Sequence, residues 1–120
     1  MAGTVQGVTQ AFVDVVEAEL GVARHSLDDL RRDLASIAES TALVPDDEHD
    51  AEGPTVGFER ARVAALVDVT RRRISELETA LGRARSGEYR ACEACHGDIG
   101  AERLEALPAT RLCVSCARLG

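Results

Sequence analysis

The stretch VDVVEAELGVARHSLDDLRRDLASIAEST, Val13 to Thr41, places apolar residues at alternating steps of three and four. The seam runs through Val13, Val16, Leu20, Ala23, Leu27, Leu30, Leu34, Ile37 and Thr41, and Val44 would extend it. Such spacing gathers one apolar stripe along a helix, and the stripe needs a partner helix to cover it. No proline interrupts the run, and Gly21 is the one weak helix former in its strongest part. The pattern predicts a long helix from about Val8 to Thr41.

A second seam follows at Val63, Val67, Thr70, Ile74, Leu77, Leu81 and Ala84, within a helix expected from Phe58 to Ser86. Ser86-Gly87 supplies a stop, with Gly87 available for a left-handed cap. Between the seams, Ala42 to Gly57 holds Pro45, Pro54, Gly53 and Gly57, which read as a connecting loop. Two seams joined by a loop fold most simply into an antiparallel hairpin. Charge favours that pairing: residues 5–41 carry seven acids and three Arg, a balance of −4, and residues 58–86 carry four acids and seven Arg, a balance of +3. Each exposed pair contributes only about 0–1 kcal/mol. The alternative is a coiled coil between separate chains. At about 1.5 Å per residue each arm would reach roughly 40–50 Å.

Composition narrows the functional classes. Two Phe, one Tyr and no Trp leave little material for a thick layered core. With 21 acids against 14 basic residues, all Arg, the net charge of −7 disfavours direct DNA or RNA binding and anionic membrane surfaces. No secretory leader is visible at the start, and no apolar run approaches the roughly 20 residues that span a bilayer. The expectation is a cytoplasmic protein in a reducing compartment, where cysteines serve metals more often than disulfides.

Those cysteines are Cys92-x-x-Cys95 and Cys113-x-x-Cys116, with seventeen residues between the pairs. Each pair sets two thiolates on one tight knuckle, and two knuckles complete a tetrahedron around one structural Zn²⁺. Four sulfurs leave no open position for a reactive water. The alternatives are redox-active pairs, for which a thioredoxin-like βαβ context is missing, or free buried thiols. His96 follows Cys95 and reads as an exposed knuckle residue rather than a ligand. Arg90, Arg103, Arg111 and Arg118 are near enough in sequence to soften the site's negative charge.

The connecting loop concentrates Asp46, Asp47, Glu48, Asp50 and Glu52 with no basic residue. It reads either as a solvated turn or as a tip that carries negative charge toward a bound Mg²⁺ or a basic wall. No nucleophile–base pair and no phosphate-cradling glycine loop can be argued, so the chain is not expected to be an enzyme. The reading is therefore mainly α: residues 1–86 form a long antiparallel helical hairpin, a coiled coil with an acidic tip loop at 42–57, and residues 87–120 form a small C-terminal zinc-finger module with four cysteine ligands.

The zinc segment resembles the DksA/TraR family of bacterial RNA polymerase regulators. The resemblance rests on Gly87-Glu88-Tyr89, Cys92-Glu93-Ala94-Cys95, Ile99, Arg103-Leu104-Glu105-Ala106, Pro108, Leu112-Cys113 and Cys116, and the preceding hairpin fits the same pattern. It implies docking at the polymerase secondary channel, insertion of the hairpin, tip acids near the catalytic centre and altered promoter-complex stability without DNA contact. Some members act with the alarmone ppGpp; no Lys is available here for its phosphates. The family's tip motif, two aspartates three apart followed two residues later by Ala, falls on Asp47 and Asp50, with Glu48 between them and Glu52 where Ala is common. His96 stands where many relatives have Gly. The protein is expected to act as a monomer. Competing readings are a zinc-braced coiled-coil scaffold for another protein, a zinc-dependent DNA binder, and a helper of transcript cleavage whose chemistry would belong to the polymerase.

Overall fold

The computed structural model describes residues 2–43 and 49–119, with side chains described over 10–40 and 55–119. Four helices follow one another: α1 (Ala2–Leu43), α2 (His49–Ser86), α3 (Ala101–Ala106) and α4 (Val114–Leu119). α1 and α2 are the two long packed helices of a hairpin. Beyond them the chain forms a short four-cysteine module, pinned by a single antiparallel bridge between Ala91 and Asp98.

The chain divides into two compact units, Met1–Gly21 with Ile74–Gly120 and Val22–Arg73. In the first, Val16 and Leu20 of α1 and Leu77, Ala80 and Ala84 of α2 are buried. Glu17 on α1 meets Arg85 on α2 at 3.5 Å, which sets the first part of α1 beside the end of α2. In the second unit Ala23 and Leu27 of α1 and Val63 and Val67 of α2 are buried. There Arg62 is held above its usual range, first by its hydrogen bond to Glu59 and further by the charge of Asp33 on α1.

The two seams appear in the order of the sequence pattern. Val13, Val16, Leu20, Ala23 and Leu27 are buried, whereas Leu30, Leu34 and Ile37 are half-buried. On α2, Val63, Val67, Leu77 and Ala84 are buried, and Thr70, Ile74 and Leu81 half-buried. Each fully buried Val or Leu contributes roughly 1.5–3 kcal/mol. The polar seam position Thr70 donates its hydroxyl to the Leu66 carbonyl at 2.7 Å, which satisfies it within the helix. Ala80 is buried although it lies off the seam, because a core-facing stripe is wider than strict three-and-four spacing. The side chain of Thr41 and all of Val44 lie outside the described residues.

The helix boundaries are corrected: α1 runs from Ala2 to Leu43 rather than from about Val8 to Thr41, so Ala42 belongs to α1 and not to the loop. α2 begins at His49, not near Phe58, so Gly53, Pro54 and Gly57 belong to the helix rather than to a loop through Gly57. Pro54 lies in the second turn, where it forfeits one amide donor close to a terminus that already has unpaired donors. Glycine and proline composition overstated the break.

α2 ends as its sequence predicts. Gly87 takes φ +83°, its amide donates to the Ala84 carbonyl at 3.2 Å, and the Glu88 amide donates to the Arg83 carbonyl at 2.9 Å. Those two bonds make a Schellman cap, which satisfies otherwise orphaned carbonyls. Arg83 then reaches past the cap, donating to the carbonyls of Glu88 at 3.2 Å and Ala91 at 2.7 Å. The turn thus hands the chain directly to the cysteine module. A Cβ on Gly87 would meet nothing within 4 Å, so the cost of Gly87→Ala is purely conformational. We expect that variant to lose about 1–2 kcal/mol in chemical denaturation, with the midpoint moving and the slope unchanged.

Candidate metal centre

The module is built on two knuckles. In the first, the Cys92 amide donates to the Gly97 carbonyl at 2.7 Å and the His96 amide to the Cys92 carbonyl at 2.9 Å. The tight turn places His96 at φ +64°, the only positive-φ residue other than glycine among the described residues. Histidine is among the side chains that tolerate this region, though less well than glycine. The Gly97 amide points at the Cys95 sulfur at 3.4 Å, and a Cβ on Gly97 would sit 3.3 Å from that sulfur. Glycine is therefore the residue that lets the backbone approach its thiolate. In the second knuckle the Cys116 amide approaches the Cys113 sulfur at 3.5 Å, where α4 begins.

The knuckles are tied together before any metal is considered. The Glu93 amide donates to the Arg111 carbonyl at 2.8 Å, and Glu93 and Arg111 also pair through their side chains at 3.6 Å. The Ile99 amide donates to the Arg90 carbonyl at 2.8 Å. Arg103 sends Nε to the Leu112 carbonyl at 2.9 Å. Of the four arginines near the site, Arg103 thus braces backbone and Arg111 pairs with a carboxylate. The sequence placed them near the sulfurs but held no signal for those partners.

All four cysteine sulfurs lie within 4.8 Å of one another. Cys95 and Cys113 are 3.8 Å apart, far beyond the roughly 2.05 Å of a disulfide. A tetrahedron with Zn–S bonds of about 2.3 Å has sulfur–sulfur edges of roughly 3.8 Å. Those sulfurs are therefore already spaced for a single zinc. His96 is exposed and lies outside the cluster. Cys92 is fully buried and Cys95 exposed, so the site has one protein-facing and one solvent-facing ligand.

The thiols differ electrostatically. The backbone amide of Cys113, with that of Cys95, lowers the Cys92 thiol to about 6. Cys116 is pushed up to about 12, foremost by its contact with Cys113 and then by Cys92 and Cys95. Four like charges cannot share so small a space without a cation. Zinc would be held by Cys92, Cys95, Cys113 and Cys116, and it supplies the two positive charges that let thiolates coexist there.

The cluster is also hydrophobic core. Cys92 belongs to one buried set with Val13, Ala84, Tyr89, Ile99 and Leu104, against which Phe12, Leu81, Leu112, Cys113 and Cys116 pack. Phe12 and Tyr89 stack with ring centroids 4.4 Å apart and planes 18° from parallel. Two of the three aromatic side chains thus meet where α1 joins the zinc module. Seam spacing gave no hint of Phe12, which lies one residue before the seam.

Residues 87–119 match the family described as the prokaryotic dksA/traR C4-type zinc finger. The four-cysteine module is thus similar to that zinc finger. The whole chain also resembles the solved structure of transcription factor DksA2 from Pseudomonas aeruginosa, with a TM-score of 0.82 and 20% identity over 99% of this chain and 88% of that one. At that identity the likeness establishes the fold. No curated protein matches the chain. Among the tip residues, Asp47 and Glu48 lie outside the described residues; Asp50 and Glu52 fall on the described backbone of α2, without described side chains.

Two outcomes are expected of this zinc finger. Acid should weaken zinc binding: at pH 7 the metal must displace at least the Cys116 proton, and as pH falls through about 6 it must displace that of Cys92 as well. Apparent affinity in a chelator competition should therefore drop at least about a hundredfold from pH 7 to pH 5, at one or more protons per zinc. Stripping the zinc should open residues 87–119 to protease while much of the far-UV helical signal of α1 and α2 remains. Separately, His96→Gly should relieve the left-handed strain and stabilise the finger by about 0.5–1 kcal/mol, part of the gain being lost to glycine's freer unfolded chain. Thermal unfolding of the zinc-loaded protein would show it as a raised midpoint.

Proposed function

We propose that this protein regulates transcription by binding RNA polymerase and placing its hairpin tip in the secondary channel, without binding DNA. The observation that carries the proposal is the joint occurrence of two matches. The cysteine module matches the dksA/traR zinc finger over 87–119, and the hairpin plus module superposes on a transcription factor over nearly its full length. A zinc finger alone is a common bracing device. A zinc finger fused to the end of a long two-helix hairpin is far more restrictive.

Charge supports an indirect mode of action. The net charge of −7 opposes adhesion to a polyanion, so a nucleic-acid target would have to be reached through another protein. The acids Asp47, Glu48, Asp50 and Glu52 suit a role near a metal ion or a basic wall, and in the proposed complex they would act at the polymerase active centre. The polymerase would keep the chemistry. This chain would contribute position and charge. In this reading it acts as a cytoplasmic monomer; ppGpp is a possible co-regulator that no lysine of this chain supports.

A second reading is favoured by the exposed apolar residues Phe58, Leu66 and Val69 on α2, which would suit a hairpin that serves as an adaptor for a different protein. Equilibrium binding of labelled, zinc-loaded protein to RNA polymerase core separates the two. Saturable binding displaced by a known secondary-channel factor is expected; absence of binding would favour the adaptor. Given binding, Asp47→Ala and Asp50→Asn should leave affinity within about threefold while changing transcript yield in a defined initiation assay. Parent-like transcription by both variants would remove the tip from the mechanism.

A further inference from the structure

The Leu112 carbonyl receives more attention than its position in a short loop requires. Arg103 on α3 donates Nε to it at 2.9 Å, and the Thr110 hydroxyl donates to it at 3.2 Å. Arg103 also reaches Thr110 Oγ1 through Nη2 at 3.4 Å, closing a triangle of three groups. All of these groups are partly buried, where a charge-assisted hydrogen bond is stronger than at the surface.

The peptide that carries this carbonyl ends in the amide of Cys113. In a trans peptide the C=O and N–H point in opposite directions, so fixing one aims the other. The carbonyl is drawn toward Arg103, so the orientation of the Cys113 amide is set with it. One rigid plane therefore connects a guanidinium on α3 to the backbone of the second knuckle. The same peptide sets the backbone entry into Cys113, itself a ligand.

We infer that Arg103 is a positioning residue of the zinc site, acting through the Leu112–Cys113 peptide to hold Cys113 in its ligating pose. Thr110 completes the bracket. Arginine suits the task because its planar fork serves two acceptors at once, which a lysine ammonium on a flexible stem does not reproduce. Outer contacts of this kind typically govern metal affinity by about 10–100-fold when removed.

The test uses the full-length chain with zinc or cobalt(II). Arg103→Ala is expected to weaken zinc binding about 10–100-fold in chelator competition and to shift the ligand-field bands of the cobalt form, which report sulfur geometry. Arg103→Lys should fall between parent and Ala, and Thr110→Val should lose a few-fold. Glu105→Ala, at an exposed position of the same helix, serves as the control and should bind zinc as the parent does. Zinc affinity of Arg103→Ala within twofold of the parent would overturn the inference. So would weakened binding with parent-like cobalt bands, because that would make Arg103 a packing residue only.

Discussion

Four cysteine sulfurs gathered within 4.8 Å are the constraint on which the rest of the first unit depends. Thiolates at that separation repel, and one of them, Cys92, has no solvent to relieve it. A divalent cation resolves the conflict, and folding of the module is thereby linked to metal binding. The same sulfurs pack into the apolar set that includes Val13 of α1 and Ala84 of α2. Metal site and hairpin end are consequently one core, not a finger hung on a stalk.

That arrangement explains how a chain with so few large side chains holds together. Small apolar seams let α1 and α2 pack closely but bury little area per residue. The Schellman turn at Gly87, the Arg83 contacts to the Glu88 and Ala91 carbonyls, and the Phe12–Tyr89 stack compensate at the end where the module joins. Each is local. Together they anchor a short loop-rich segment of about thirty residues to the hairpin, where a domain that small would otherwise need a larger core or a staple.

Most of the fold was legible in the sequence because its signals are periodic. Val13 to Leu27 and Val63 to Ala84 repeat at helical spacing, and the two CxxC pairs declare a tetrahedral site. Less legible were features set by tertiary geometry. Pro54 and Gly57 read as loop residues by composition, yet they sit in α2. Arg103 read as a nearby positive charge, yet its partner is a carbonyl that only the folded loop brings to it. The left-handed turn at His96 was visible only as a departure from glycine; its meaning required the backbone angle. The acids at the tip remain a matter of sequence, with Asp47 and Glu48 outside the described residues.

The stack of Phe12 on Tyr89 has a spectroscopic consequence. Tyr89 is the only tyrosine, and there is no tryptophan. Intrinsic emission and near-ultraviolet dichroism therefore arise chiefly from one phenol ring, buried in the core shared with Cys92 and pressed against a second ring at 4.4 Å. Far-ultraviolet dichroism, by contrast, is dominated by α1 and α2. The chain thus carries its own two-colour readout, in which light absorbed by a single side chain reports the state of the zinc finger and the peptide bands report the hairpin.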